Sequence, residues 1–270
     1  TISGWMTDHN GKLRIATTTD GVNTGVLYRK TEQDPFEPVM ETGFKDTFTP
    51  LLMTFDNKEL YVASNLGRDK AALYTFNPET KKLGTLIFEH PEVDIESLLY
   101  SDKRKVMTGV LYYADKRGYH FFDKERAALQ AEFEKKFPGL EVGISSSNRD
   151  ETVYIIRTYS DKTPGAYYVY DTADKSFTLL ADVAPWIDSA KMASMQPIHY
   201  KSSDGLTIHG YLTVPVGEKA KNLPVVVNPH GGPWARDYWG YNPEVQFLAN
   251  RGYAVLQMNF RSSTGYGKEF

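Results

Sequence analysis

Short apolar runs, each preceded by a cluster of polar residues, recur along the first two thirds of the chain. The polar clusters lie at residues 8–12, 56–59, 101–104 and 148–151. The apolar, β-branched or aromatic runs that follow them lie at residues 13–17, 60–64, 106–113 and 152–159. Because β-branched and aromatic residues favour strands, whereas Asp, Asn and Gly favour turns, each cluster with its run predicts a turn followed by a strand.

This pattern repeats with a nearly constant period. Ile15, Val62, Met107 and Tyr154 occupy equivalent positions in the four runs and are separated by 47, 45 and 47 residues. Further strands are predicted at residues 26–29, 72–76, 83–88, 118–122, 166–170 and 177–180. Several short strands in a repeat of about 46 residues are typical of β-propeller blades. We therefore predict about four blades within residues 1–186; a β-sandwich is the alternative fold, although it need not repeat its turns at a fixed period.

The third unit departs from the repeat. Residues 124–137 are rich in Ala, Glu, Lys and Leu, and Leu129, Phe133 and Phe137 recur at helical spacing. We predict a helix inserted in or beside this blade and ended by Pro138 and Gly139.

The character of the sequence changes after Trp186. Residues 197–200 and 207–214 predict a β-hairpin around a polar turn at 202–205. The apolar run at 223–228 predicts a parallel strand that is covered on both faces.

A helix is predicted at residues 243–250, with Gly252 as its left-handed cap, and another buried strand at 253–259. Strand, glycine-rich turn, helix and strand together make a βαβ unit, which has to belong to a larger sheet. We therefore predict two domains, residues 1–186 and residues 187–270.

Composition excludes several classes of protein. The 270 residues are 41% hydrophobic and 24% charged, which is ordinary for a globular protein, and the net charge of -3 gives no strong attraction to nucleic acid or anionic lipid. Cysteine is absent, which excludes disulfides, a thiolate nucleophile and cysteine-ligated zinc. No metal or cofactor is expected, and no apolar run of 18 residues predicts a membrane span. Residues 1–5 carry no initiator Met and no signal pattern, so a cytoplasmic or a periplasmic location stays open.

The candidate chemistry lies in the motif Asn-Pro-His-Gly-Gly-Pro at residues 228–233, directly after the apolar run. In α/β-hydrolases an HGG-like loop after a buried strand supplies a backbone N–H to the oxyanion hole. Such a donor stabilises the negative charge that develops on the carbonyl oxygen during acyl transfer. Glycines allow the backbone the close approach that this role requires.

Four segments resemble the peptidase domain of the prolyl oligopeptidase family, closest to its acylaminoacyl-peptidase-like and dipeptidyl-peptidase-like branch: residues 203–212, 230–233, 246–256 and 259–267. The family places a propeller before its α/β-hydrolase domain. The resemblance therefore implies all-β propeller blades followed by the N-terminal part of an α/β-hydrolase domain. Ser262 is a departure, because the family usually has Gly at this position.

The resemblance implies a serine peptidase that acts on short peptides through a Ser, a His and an Asp. The chain contains no Gly-x-Ser-x-Gly string, which marks the nucleophile in this fold. In family order the triad lies beyond Phe270, so we expect this chain to be an inactive fragment of a larger enzyme. The missing nucleophile strand would adjoin residues 223–228, and we expect the chain to dimerise or aggregate through that open edge. A propeller interaction module without catalysis and an esterase of the same fold remain alternatives.

Family analogy gives candidate roles to the loop residues. Gly232 is expected to contribute its backbone N–H to the oxyanion hole, and Gly231 and Pro233 are expected to belong to the active-site loop. His230 either lines the active site or holds the loop by a hydrogen bond, and the second role is preferred. Arg261 either reaches the active site or ties down the loop at 264–267.

Two further groups have competing interpretations. Trp234, Tyr238 and Trp239 either form a substrate wall or, as preferred, cap the sheet. The glutamates of the predicted helix could bind a peptide's N-terminal ammonium group, but their spacing favours a solvated face: Glu125, Glu132 and Glu134.

Overall fold

The computed structural model describes residues 1–232 and 234–270. The first two β-sheets each have four antiparallel strands that follow one another in chain order. The first contains β1 (Ile2–Thr7), β2 (Leu13–Thr19), β3 (Thr24–Tyr28) and β4 (Glu37–Thr42). The second contains β5 (Phe48–Met53), β6 (Leu60–Ser64), β7 (Ala72–Asn77) and β8 (Lys82–Phe88).

The third sheet has three strands in the order β11-β10-β9, and the fourth again has four antiparallel strands. The third contains β9 (Ile95–Ser101), β10 (Val106–Tyr113) and β11 (Arg117–Phe121), and α1 (Lys124–Lys136) follows it. The fourth contains β12 (Glu141–Ser147), β13 (Val153–Tyr159), β14 (Ala166–Asp171) and β15 (Ser176–Asp182). These sheets of sequential antiparallel strands resemble propeller blades, as the repeat predicts.

The predicted polar clusters are the turns between the first and second strands of the four sheets. One residue in each turn has left-handed backbone angles: Gly11, Asn57, Lys105 and Glu151, with φ of 75°, 60°, 55° and 51°. This conformation is strained for most side chains, so its recurrence shows that the four turns are structural equivalents.

The sequence pattern does not predict the first strand of these four sheets, and it does not predict β4. Backbone irregularities explain part of this omission. The pairing register shifts between Ile2 and Gly4 in β1, between Pro50 and Leu52 in β5, and between Ile144 and Ser146 in β12. A β-bulge breaks the strict alternation of side chains on which strand prediction relies.

Helix α1 confirms the predicted helix and packs against the fourth sheet. Asp123 caps its N-terminus by accepting a hydrogen bond from the backbone N of Arg126. Phe133 is completely buried, and its ring meets those of Tyr170 and Phe177 edge-on at centroid distances of 5.0 and 5.8 Å. The helix therefore shares a hydrophobic core with the fourth sheet.

The fifth sheet has the strand order β16-β17-β19-β18 and contains β16 (Met195–Lys201), β17 (Thr207–Thr213), β18 (Val225–Val227) and β19 (Ala254–Asn259). A 3-10 turn at Ser189–Lys191 precedes it, and α2 (Pro243–Asn250) connects β18 to β19. The hairpin β16–β17 is antiparallel, as predicted, and β18 pairs with β19 in parallel, which makes the predicted βαβ unit. Gly252, with φ of 90°, ends α2 as its predicted cap.

The expectation that the run at 223–228 is covered on both faces is wrong. Only Val225–Val227 forms a strand, and the side chains of Val225 and Val227 are both 55% exposed. β18 is the last strand in the sheet order, so within the described residues it has a paired neighbour on one side only.

The chain divides into two compact units. The first comprises Thr1–Leu99, Gly109–Ala114 and Gly265–Phe270, and the second comprises Tyr100–Thr108 and Asp115–Thr264. The first unit has a core of Ile15, Val26, Phe48, Val62 and Phe76 with their neighbours. The second unit contains α1, the fourth and fifth sheets and the candidate site.

Candidate functional site

The βαβ unit positions the candidate loop directly after β18. The backbone N of Asn228 still donates to the carbonyl of Leu256 in β19, at 2.8 Å, and the chain then leaves the sheet. It returns at α2, which Asn242 caps by accepting hydrogen bonds from the backbone N atoms of Glu244 and Val245. The carboxyl end of a parallel strand is where α/β sheets place ligand sites.

The backbone at Gly232 requires a glycine. Its φ is 144°, and a Cβ added there would lie 2.8 Å from the backbone N of Trp234 and 3.3 Å from that of Ala235. At Gly231, by contrast, an added Cβ would meet open space. Both glycines are exposed, and within the described part of the chain the Gly232 N–H donates no hydrogen bond. The donor expected from the sequence thus lies in an exposed turn whose backbone angles favour glycine.

His230 fastens the loop rather than projecting freely. Its Nε2 lies 2.7 Å from Oγ of Ser263, and its Nδ1 lies 2.8 Å from the carbonyl of Gly231. A carbonyl can only accept, so Nδ1 donates to the carbonyl of Gly231, whereas Nε2 and the Ser263 hydroxyl share the second hydrogen bond. The ring also stacks on Phe260 at a centroid distance of 4.3 Å. These contacts fit the preferred prediction of a loop-stabilising hydrogen bond.

Polar side chains of β19 hold the later part of the loop. The backbone N of Asp237 donates to Oδ1 of Asn259 at 2.7 Å, and Nδ2 of Asn259 donates to the Asp237 carbonyl at 3.2 Å. Nε2 of Gln257 donates to Oδ1 of Asp237 at 2.9 Å. Asn259 and Gln257 are almost completely buried, so these bonds are shielded from water.

The Asp237 carboxyl is a titratable group with an altered pKa. Burial raises its pKa, although the Gln257 hydrogen bond and the charges of His230 and Arg236 oppose the rise. Within the described residues, Oδ2 of Asp237 and Oε1 of Gln257 are buried without a hydrogen-bond partner. A proton on the Asp237 carboxyl would supply a donor where these two buried oxygen atoms have none, so the protonated form is favoured, in keeping with the raised pKa.

Arg261 makes an ion-pair contact with the β16–β17 hairpin. Its guanidinium forms an ion pair with Asp204, in the turn of the β16–β17 hairpin, and its side chain is 50% exposed. Ser262 beside it has φ of 77°, a left-handed angle. The family's usual Gly at this position adopts that angle without strain, so the chain keeps the backbone turn despite the departure.

The aromatic residues of the loop have different environments. Trp239 is buried, and its Nε1 donates to the carbonyl of Met195 at 2.8 Å, within a small core that includes Tyr211. Trp234 is 71% exposed and Tyr238 is 44% exposed. Only Trp239 therefore caps the sheet.

The glutamates of α1 already have partners in their own unit. Glu132 accepts hydrogen bonds from the Tyr170 hydroxyl at 2.8 Å and from Lys175 at 3.0 Å. Glu125 pairs with Arg104, and Glu134 accepts from the amide of Gln130. These contacts favour a structural role for all three carboxylates.

The structure thus joins His230 to Ser263 and leaves Arg261 with a separate partner. Pro233 lies outside the described residues. Ser263, Asp237 and Asn259 support the loop but were not singled out from the sequence. Their one sequence signal is weak: Gln257 and Asn259 are polar residues at alternate positions of an otherwise apolar strand.

Comparison with known proteins shows which proteins the chain resembles. No family model matches the chain. Dipeptidyl aminopeptidase BIII of Pseudoxanthomonas mexicana is 31% identical over 278 residues, covering 100% of this chain and 40% of that protein. A solved prolyl endopeptidase is 14% identical with a TM-score of 0.72, over 99% of this chain and 39% of that one. The chain is similar to peptidases of the prolyl oligopeptidase family.

The similarity to this family extends along the whole chain. A solved puromycin hydrolase shares the fold, with 19% identity and a TM-score of 0.71 over 100% of this chain and 43% of that one. The chain spans about 40% of the length of these family members. No helix within the described residues is long and apolar enough to cross a membrane.

Proposed function

We propose that this chain is part of a serine peptidase that cleaves short peptides, and that it supplies the oxyanion-hole loop of that enzyme. The observation that carries the proposal is the His-Gly-Gly turn directly after a parallel strand, with Gly232 in a conformation that only glycine adopts readily. In this role the Gly232 N–H binds the carbonyl oxygen of the scissile bond as negative charge develops on it. His230, Gly231 and Pro233 are its neighbours in the sequence motif and are proposed as further residues of the active-site loop.

The chain would contribute two functional parts to the enzyme. Residues 1–186 would form propeller blades that restrict access, so that only small peptides reach the site. Residues 187–270 would begin the α/β-hydrolase domain. The last blade-like strand ends at Asp182 and the mixed sheet begins at Met195, which supports a boundary between them.

The substrate class follows from the relatives and from the family. Proteins similar to this chain are named as a dipeptidyl aminopeptidase and an acylamino-acid-releasing enzyme. We therefore propose cleavage near the N-terminus of short peptides, either as a dipeptidyl peptidase or as an acylaminoacyl peptidase. The nucleophilic Ser and its Asp and His partners would come from outside these residues, so that the chain alone is inactive.

Ser263 needs to be distinguished from the nucleophile because it touches a histidine. The residue is buried, with an exposure of only 3%. His230 points its second nitrogen at a backbone carbonyl rather than at a carboxylate. A Ser-His-Asp triad requires a carboxylate there and a hydroxyl that substrate can reach. Ser263 is therefore assigned to holding the loop.

Fluorophosphonate labelling of the intact natural protein that contains this chain tests the proposal. Intact mass spectrometry of that protein, of its Ser263→Ala variant and of the 270-residue chain would be compared. We expect one adduct on the first two and none on the third. Absence of any adduct would contradict the serine-peptidase proposal and favour a binding module. Loss of labelling in Ser263→Ala alone would identify Ser263 as the nucleophile. In a separate hydrolysis assay of the intact natural protein, cleavage of esters but not of peptides would favour an esterase.

A further inference from the structure

Two histidines and one aspartate meet on the β16–β17 hairpin, in the second compact unit. His199 and His209 are directly opposite each other in the strand register. The backbone N of Ser202 donates to the carbonyl of Leu206, so these two residues form a hydrogen-bonded pair at the end of the hairpin. Hydrogen-bonded and non-hydrogen-bonded pairs alternate along an antiparallel ladder, and the alternation makes His199 and His209 a non-hydrogen-bonded pair. Side chains approach most closely in pairs of this kind. The two imidazole rings lie 4.6 Å apart between centroids.

Asp115 completes the group from a distant part of the sequence. Its Oδ1 lies 2.7 Å from Nε2 of His199, and one ligand atom from each of Asp115, His199 and His209 lies within 4.8 Å of the others. Within the described residues this is the one group of three His, Asp or Glu side chains close enough to share an ion.

The fold holds Asp115 at this position through its neighbours. Tyr211 lies two residues after His209 on the same face of β17, and its hydroxyl donates to the Asp115 carbonyl at 2.9 Å. The next residue, Lys116, has its Nζ 3.7 Å from the ring centroid of the buried Trp239. The backbone at Asp115 is thus held by contacts at this residue and at the next one before any ligand binds, which lowers the entropy cost of binding.

The ligand set selects a class of ion. Two imidazoles with one carboxylate suit Zn²⁺, Co²⁺ and Ni²⁺, whereas Ca²⁺ and Mg²⁺ prefer oxygen ligands. Ligands about 2.0–2.2 Å from a tetrahedral zinc are about 3.3–3.5 Å from one another. The present separations require small side-chain rotations, and the side chains of His199 and Asp115 are 45% and 46% exposed, so an ion can reach them.

We propose that Asp115, His199 and His209 bind one divalent transition-metal ion, with Zn²⁺ as the representative case. The ion would fasten the β16–β17 hairpin to the segment that precedes β11, which is 84 residues away from His199 in sequence. With three protein ligands, water completes the coordination. The site has no signature in the sequence because its ligands are not closely spaced along the chain.

Isothermal titration with Zn²⁺ tests the site in the intact natural protein after removal of metals by a chelator. We expect this cluster to bind one Zn²⁺ ion per chain with a dissociation constant of about 10 µM or tighter. Addition of zinc should also raise the Tm of the protein. Asp115→Asn, His199→Ala and His209→Ala should each weaken that binding at least about 10-fold. Co²⁺ titration should give the visible absorption of a tetrahedral nitrogen and oxygen site, and each variant should lose it.

His120→Ala is the matched control, because it removes an exposed histidine of β11 that is not in the cluster. It should bind Zn²⁺ as the unaltered protein does. Asp115→Asn keeps a hydrogen-bonding side chain of the same shape, and unchanged circular dichroism without metal would show that it folds. Absence of zinc binding at about 100 µM would overturn the proposal. Undiminished binding by a variant that combines Asp115→Asn, His199→Ala and His209→Ala would also overturn it.

Discussion

The Nε2 atom of His230 lies 2.7 Å from Oγ of Ser263, although the two residues are 33 positions apart. The bond ties the loop after β18 to the segment after β19. A double-mutant cycle with His230→Ala and Ser263→Ala should give a coupling free energy of about 0.5–1.5 kcal/mol in urea unfolding. The neighbouring Ser262→Ala is the control and should not couple to His230→Ala. Additive effects of His230→Ala and Ser263→Ala would show that the contact does not stabilise the loop.

Ser262 should be a site where glycine stabilises the protein. Its φ of 77° is unfavourable for a residue with a Cβ, and replacement by glycine removes that strain. Glycine also has more freedom in the unfolded chain, which offsets part of this gain. We therefore expect Ser262→Gly to raise the free energy of unfolding by about 0.5–1 kcal/mol in net. Ser262→Ala keeps the Cβ and should give no such gain. Destabilisation by Ser262→Gly would contradict the left-handed turn.

Asp237 should make stability depend on pH. Its pKa is raised in the folded state, so its favourable contribution is present below the unfolded pKa and is lost as pH rises through the folded pKa. The free energy of unfolding of Asp237→Asn, measured relative to the unaltered protein, should therefore increase as pH rises from about 4 towards neutrality.

Urea unfolding at several pH values checks this expectation. Glu218→Gln removes one negative charge at an exposed position and serves as the control. A constant difference between Asp237→Asn and the unaltered protein across the pH range would contradict the raised pKa.

The edge of β18 should allow self-association of the 270-residue chain. β18 has a paired neighbour on one side within the described residues, and Val225 is 55% exposed. Lysine on an edge strand discourages strand pairing, so Val225→Lys should shift the chain towards monomer in sedimentation velocity. Val216→Lys, at an exposed position outside the strands, should leave association unchanged. A monomeric unaltered chain at high concentration would refute this expectation.

Local sequence patterns predict much of this fold because turns and strands depend largely on the residues within them. Helix α1 and the strands β6 and β10 lie where their apolar spacing places them, and Gly252 ends α2 as expected. Bulged strands such as β1 and β5 are not predicted, because their side chains do not alternate regularly between the two faces of the sheet.

The candidate site is less predictable because it depends on contacts between distant residues. The His-Gly-Gly motif locates the loop, but nothing in the sequence pairs His230 with Ser263 or Arg261 with Asp204. Asp115 and His209 likewise come together only when β17 is placed in its sheet. Local patterns therefore identify the elements, whereas tertiary pairing determines the chemistry of each side chain.

The central claim is that the Gly232 N–H serves the oxyanion hole, and steady-state peptide hydrolysis by the intact natural protein tests it most directly. Alanine at position 232 would clash with the backbone of Trp234 and displace the N–H, whereas alanine at 231 meets open space. We expect Gly232→Ala to lower kcat by about 10²–10³-fold with little change in KM, and Gly231→Ala to lower it less than about 10-fold. A folded Gly232→Ala protein with unaltered kcat, or equal losses in both variants, would contradict the account.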